Sequence, residues 1–175
     1  MYEPAEDSFL LEAHVLKLKQ KVDLALDMGT GTGIIAKALA KKAVKVIASD
    51  IQKEVIEKLS LDVEKYESNL FSNIPKKYFG KIELITFNPP YLPLGDDKLD
   101  VELHGGELGV ETTIKFLSKA KKYLAKKGII LFIASTNAKL SFLNLKLLEL
   151  GYKYEVVSEE KLFFEKLLLY KAKLS

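Results

Sequence analysis

The tetrapeptide Asn88-Pro89-Pro90-Tyr91 combines what a reactive corner needs: a carboxamide, a rigid backbone and an aromatic face. It follows Ile82-Glu83-Leu84-Ile85-Thr86-Phe87, a mostly β-favouring run that reads as a strand. Two consecutive prolines end that strand, because neither donates a ladder hydrogen bond and both have fixed φ. Asn88 is therefore held at the strand's carboxyl tip, and in an open α/β sheet ligands sit at such tips. An ordinary proline-rich turn would carry the same residues, so the rest of the chain has to decide between the two.

A second group lies upstream. The apolar run Val22 to Met28, interrupted by Asp23 and Asp27, opens into Gly29-Thr30-Gly31-Thr32-Gly33 and then the helical run Ile34 to Lys42. Strand, glycine loop and helix form the first unit of a doubly wound sheet. A dinucleotide fingerprint would need glycine at position 34, where Ile34 stands. The Asp27 carboxylate would repel a pyrophosphate but pair well with the ammonium of an amino-acid-like ligand, so S-adenosylmethionine fits better than NAD. Asp50 ends the next strand, Val44 to Ser49, where an acid can accept both hydroxyls of a ribose; capping the helix Gln52 to Leu59 is its other reading. Asn69 and Leu70, after a third strand near Leu61 to Tyr66, offer a side-chain acceptor and a backbone N–H to an adenine, or else belong to a plain turn.

The elements that must position these groups alternate regularly. An amphipathic helix spans Glu6 to Leu18, with Phe9, Leu10, Ala13, Leu16 and Leu18 near helical spacing and acidic residues at its start. Leu92 to Gly109 is a long loop of the kind that serves as a lid or binding loop. Its Gly105-Gly106 pair fits either close backbone approach to a substrate or a turn. Val110 to Lys127 reads as a helix stopped by Gly128, Ile129 to Ala134 as a buried fifth strand, and Leu140 to Leu150 as a helix stopped by Gly151. Tyr152 to Val157 and Lys166 to Lys173 read as two final strands.

Composition narrows the chemistry. A chain of 175 residues is expected to form one domain with a real core. It has no cysteine and two histidines, which exclude a disulfide framework and a thiolate metal site and are too few to bind a metal alone, so no metal ligands are assigned. His14 receives no role. All 27 basic residues are lysine and the net charge is +3, so the arginines that grip phosphates and guanine edges are missing and a nucleic-acid partner is disfavoured. The acidic N-terminus is no signal peptide and no stretch approaches a membrane span, so a soluble cytoplasmic protein is expected.

Tyr2-Glu3-Pro4-Ala5-Glu6-Asp7-Ser8, Asp27 to Gly33, Phe87 to Tyr91 and Gly105-Gly106-Glu107-Leu108-Gly109 together resemble the HemK-related protein-(glutamine-N5) methyltransferases of archaeal and eukaryotic type, in the family's order. The glycine loop marks cofactor binding in general, and Asn-Pro-Pro-Tyr is shared with enzymes that methylate adenine, guanine or glutamine amines. The N-terminal stretch points to this family. The resemblance implies the class I S-adenosylmethionine-dependent methyltransferase (Rossmann-like) fold, a mostly parallel seven-stranded α/β sheet with one antiparallel strand and helices on both faces. Residues 1–20 would cap the cofactor site and 92–109 would form the active-site loop of one domain spanning 1–175.

The implied activity is N5-methylation of the glutamine in the Gly-Gly-Gln loop of a class I translation release factor. By that likeness Ser8, Asp27, Gly29, Gly31, Asp50, Asn69, Leu70 and Asn88 line the cofactor, and Asn88, Pro89 and Tyr91 hold the substrate amide. Family members often carry Asp at the position of Asn69, which keeps an acceptor but loses the charge. The helical N-terminal domain of bacterial members has no counterpart here, so docking is expected to use another surface. Short members commonly work with a small zinc-binding activator subunit along the sheet edge. Two rival readings remain: a nucleic-acid amino methyltransferase, since the same tetrapeptide can clamp a base amine, and a silent scaffold of the cofactor fold.

Overall fold

The computed structural model describes residues 3–93 and 104–175. The expected active-site loop is thus described at its two ends, and the rest of it lies outside the described residues. The elements run α1 (Glu6–Lys17), β1 (Val22–Met28), α2 (Ile34–Leu39), β2 (Ala43–Asp50), α3 (Lys53–Lys58), β3 (Glu64–Glu67), β4 (Ile82–Phe87), β5 (Leu92–Pro93) and β6 (His104–Gly106). They continue with α4 (Glu111–Ala120), β7 (Leu124–Ser135), α5 (Leu140–Glu149), β8 (Tyr152–Lys161) and β9 (Lys166–Leu174).

Seven strands form one sheet in the order β3-β2-β1-β4-β7-β9-β8. All pair in parallel up to β7, and β9 runs antiparallel to both β7 and β8, so it is the one reversed strand the family resemblance implies. The central strands carry apolar residues on both faces, as strands sandwiched between helices must. On one face Leu26, Ile85 and Phe132 join Phe116 and Leu117 of α4 and Leu143 and Leu147 of α5. On the other, Ala25, Leu84 and Leu131 join Leu11 and Val15 of α1 and Ile35 and Leu39 of α2. The strand order reverses between β1 and β4, and at such a switch point the carboxyl ends of neighbouring strands open a crevice.

Several boundaries differ from the sequence reading: α2 stops at Leu39 rather than Lys42, β8 runs on to Lys161 rather than Val157, and two others have a cause in the ladder. The helix expected to reach Lys127 ends at Ala120, and Leu124 already belongs to β7. The ladder explains why: Ile82 pairs with Leu124 but Leu84 with Ile129, so β7 bulges out by several residues and carries Lys126 and Lys127 exposed. Gly128 is no helix stop. It lies inside the bulge, where an added Cβ would stand 2.9 Å from the Ile82 carbonyl oxygen. The third strand is Glu64–Glu67 rather than Leu61 to Tyr66, because it pairs only with the last four residues of β2.

Candidate active site

The tetrapeptide starts where β4 ends, at the switch point. The Asn88 side-chain Nδ2 donates to Ser8 Oγ at 3.5 Å, while its Oδ1 is buried with no hydrogen-bond partner among the described residues. The Tyr91 hydroxyl donates to Asp7 Oδ2 at 2.9 Å, and Asp7 Oδ1 accepts the Ser8 backbone N–H at 2.5 Å. Asp7 and Ser8 are both buried in the first turn of α1, so this turn grips the corner by two side chains. From the opposite direction comes Gly105, at which a Cβ would stand 2.5 Å from the Pro90 carbonyl oxygen. That glycine therefore serves close approach to the tetrapeptide's own backbone, and β5 and β6 pair in parallel beside it.

The glycine loop faces this corner across the crevice. Gly31 has φ +51 and open space where a Cβ would be, so the loop presents bare backbone. Asp27 is buried at the end of β1; its Oδ2 accepts from Thr30 Oγ1 at 2.8 Å and its Oδ1 from Thr86 Oγ1 at 2.9 Å. Burial outweighs those two hydroxyls and pushes the Asp27 carboxyl up to about 7, with the nearby Asp50 charge adding to the rise.

Asp50 bridges two backbones, accepting Gly31 N–H on Oδ2 and Gln52 N–H on Oδ1, each at 3.0 Å. The carboxylate thus ties the loop to Gln52, the residue that precedes α3; Gln52 is itself the cap position and no side chain caps the helix, so Asp50 is not the helix cap of the other reading. Beyond β3, Ser68 Oγ donates to the Leu70 carbonyl at 2.7 Å and accepts Asn73 N–H at 2.9 Å. Leu70 is held at φ +53, the left-handed region that a leucine occupies only at a cost of the order of 1 kcal/mol, and such strain clusters at ligand sites.

These groups enclose one cavity of about 680 Å³. Every residue singled out in the sequence borders it: Ser8, Asp27, Gly29 and Gly31 on one side, Asp50, Asn69 and Leu70 on another, and Asn88, Pro89 and Tyr91 at the acceptor corner. Three contributors were not foreseen. Asp7 stood in a quoted motif without a role. Thr30 lies three residues beyond Asp27, and Thr86 is its direct neighbour across the β1–β4 ladder. Thr86 does leave a trace in the sequence as a lone hydroxyl inside an otherwise apolar strand end, but only the strand order puts it beside Asp27. The cavity suits a ligand with an ammonium, a ribose and an aromatic base: a buried acid, a second acid at the next strand tip, and exposed loop backbone between them.

The family model described as "Methyltransferase small domain" matches residues 7–164. The chain is 37% identical to the "Putative protein N5-glutamine methyltransferase" of Methanocaldococcus jannaschii, over 98% of this chain and 91% of that protein. It is 33% identical to the release factor glutamine methyltransferase of Haemophilus influenzae, over 60% of this chain but 39% of that longer protein. Among solved structures it is similar to a chain of the E. cuniculi Mtq2-Trm112 complex, which methylates the eRF1 translation termination factor. That match has a TM-score of 0.82 and 25% identity, and covers 99% of this chain and 98% of that one. The chain belongs to the methyltransferase small domain family and, within it, to the HemK-related protein-(glutamine-N5) methyltransferases.

Proposed function

We propose that this S-adenosylmethionine-dependent enzyme methylates the side-chain nitrogen of the glutamine in the Gly-Gly-Gln motif of a class I peptide chain release factor. The observation that carries the reading is Asn88 Oδ1, a buried acceptor with no donor among the described residues, in the lining of a cavity that Pro89 also borders. Leaving such an atom unpaired costs about 1–3 kcal/mol, and a primary carboxamide supplies the two N–H groups that would satisfy this corner.

S-adenosylmethionine, when bound, supplies a methyl group on a positively charged sulfur, already a strong electrophile. In this reading Asp27 pairs with its ammonium, Asp50 with its ribose, and Asn69 with the Leu70 backbone N–H meets its adenine. Pro4, Asp7 and Ser8, at the start of α1, border the site and would close its near end.

The protein's remaining task is orientation, because an amide nitrogen is a poor nucleophile with its lone pair delocalised into the carbonyl. Asn88 Oδ1 and the Pro89 carbonyl each accept one N–H of the glutamine and hold the nitrogen as it pyramidalises. Ser8 fixes which way the Asn88 carboxamide faces. Tyr91, tied to Asp7, lays its ring against the amide plane and near the cationic sulfur. No side chain has to remove a proton first, since the substrate N–H turns acidic only as the new N–C bond forms.

A release factor works in the cytoplasm, so the same reading puts the enzyme there. By likeness to the Mtq2-Trm112 complex, we also propose that a small zinc-binding activator subunit pairs with the sheet, which has open edges at β3 and β8. The test is mass spectrometry of a recombinant release factor incubated with this chain and S-adenosylmethionine, with and without such a subunit. A mass gain of one methyl on the Gly-Gly-Gln peptide is expected. Equal labelling of a variant with that glutamine replaced, or labelling of RNA or DNA instead, would overturn the substrate.

A further inference from the structure

The β8–β9 turn presents two adjacent phenylalanines to solvent, Phe163 at 93% and Phe164 at 85% of full exposure. Their rings meet edge to face, with centroids 4.7 Å apart. The turn beneath them is built firmly. Leu162 N–H donates to the Glu165 carbonyl at 2.8 Å, Lys166 N–H to Thr136 Oγ1 at 2.9 Å, and Thr136 N–H to the Lys166 carbonyl at 3.0 Å. Ser135 Oγ bonds the Glu165 carboxylate, and Leu162 packs against the same core cluster as Tyr91.

The ladder fixes where this tip points. Phe132 of β7 lies level with Phe87, the residue before Asn88, and Ser135, three residues further on, lies level with Leu167 of β9. The turn therefore projects beyond the carboxyl edge of the sheet, on the same side as the acceptor corner. β9 and β8 are two and three strands from β4, so the tip stands about 10–15 Å to the side of the strand that ends at Asn88. The cofactor half extends the opposite way, over β1, β2 and β3. An acceptor too large for the cavity has the β9 and β8 side free of the cofactor half to rest its body on.

We propose that Phe163 and Phe164 form a docking element for the protein substrate, namely for a globular domain with an apolar patch beside an exposed glutamine loop. The inference rests on the glutamine-methylating reading above. A cavity of about 680 Å³ cannot hold a folded domain, so most of the recognition of a whole protein must come from the rim. A rigid pair of exposed aromatic rings there is the kind of anchor that dominates protein interfaces. Val44, 81% exposed at the opposite, amino end of β2, is as bare but lies on the edge turned away from the site.

The experiment is steady-state methylation of a release factor by the wild type, the double variant Phe163→Ser/Phe164→Ser and the control Val44→Ser, with S-adenosylmethionine affinity measured by calorimetry. Expected is a KM for the release factor raised about tenfold or more in the double variant. Its kcat and S-adenosylmethionine affinity stay unchanged, and the control behaves as wild type. An unchanged KM overturns the docking role. So does a fall in kcat or S-adenosylmethionine affinity without a rise in KM, or a wild-type dimer that the double variant dissolves while KM stays put. A wild type that binds S-adenosylmethionine yet methylates no release factor, with or without the activator subunit, defeats both readings together, an outcome distinct from an active enzyme whose KM ignores the tip.

Discussion

The two halves of the cavity treat their polar groups in opposite ways. On the glycine-loop side each carboxylate oxygen already accepts one bond from the protein, Asp27 from two threonine hydroxyls and Asp50 from two backbone N–H groups, which leaves acceptor capacity for a ligand. At the acceptor corner the Asn88 carbonyl oxygen has no donor among the described residues. The first side is preorganised so that a small ligand meets acids already fixed in position. The second keeps one acceptor unsatisfied and clamps everything around it, with Asp7, Ser8, Gly105 and two prolines. The contrast matches a division of labour in which the cofactor is held by charge and the substrate nitrogen by direction.

The sharpest way to break the contrast is Asn88→Ala. If this corner works by orientation, single-turnover methyl transfer falls by about 10²-fold or more, while calorimetry finds S-adenosylmethionine affinity nearly intact. Equal losses in both measurements would merge the two halves into one binding site. Asp50→Ala probes the other half and should do the reverse. Affinity for S-adenosylmethionine weakens by about 1–3 kcal/mol through lost charge-assisted bonds, and the rate at saturating cofactor changes much less.

Asp27 adds a pH dependence to that half. Its folded-state carboxyl sits at about 7 against a reference of 3.8, so the fold holds this proton more tightly than the unfolded chain does. The stability so gained is complete below the reference value and is lost as pH rises through about 7. A cationic ligand prefers the carboxylate, so S-adenosylmethionine affinity should climb by up to about tenfold per pH unit up to neutrality and then level off, with proton release on binding below that point. Calorimetry in buffers of different ionisation enthalpy measures that proton. Asp27→Asn should abolish both the release and the slope, and a slope that survives the substitution would assign it to another group.

The same division explains what could be read from the chain alone. Glycine spacing, the acids at Asp27 and Asp50 and the proline-stiffened strand end are local signals, and the fold brings all of them to one cavity. The seven-strand alternation was equally legible, because buried parallel strands are continuous apolar runs with turn residues between them. The misreadings came from long-range pairing. Leu124 to Lys127 has a helical composition, yet the ladder with β4 draws it into β7 through a bulge. Asp7 and Thr86 matter through partners 84 and 59 residues away, and no local pattern announces such a partner, whereas Thr30 lies three residues from Asp27 and only its role went unread. The unsatisfied oxygen of Asn88 is likewise a property of what surrounds it.

The gentlest test asks whether the clamp itself contributes. Tyr91→Phe removes only the hydroxyl that donates to Asp7, leaving the ring and both acceptors of the amide in place. If the ring needs that tether to keep its pose, kcat drops a few-fold, up to about tenfold, with S-adenosylmethionine affinity unchanged, the loss typical of one positioning hydrogen bond. Asp7→Ala in the Tyr91→Phe background should then add less than it does in the wild type, because the bond it would break is already gone. Full additivity of the two substitutions would mean that Asp7 acts through its other contacts, the Ser8 backbone and hydroxyl among them, and that the corner keeps its shape without the Tyr91 tether.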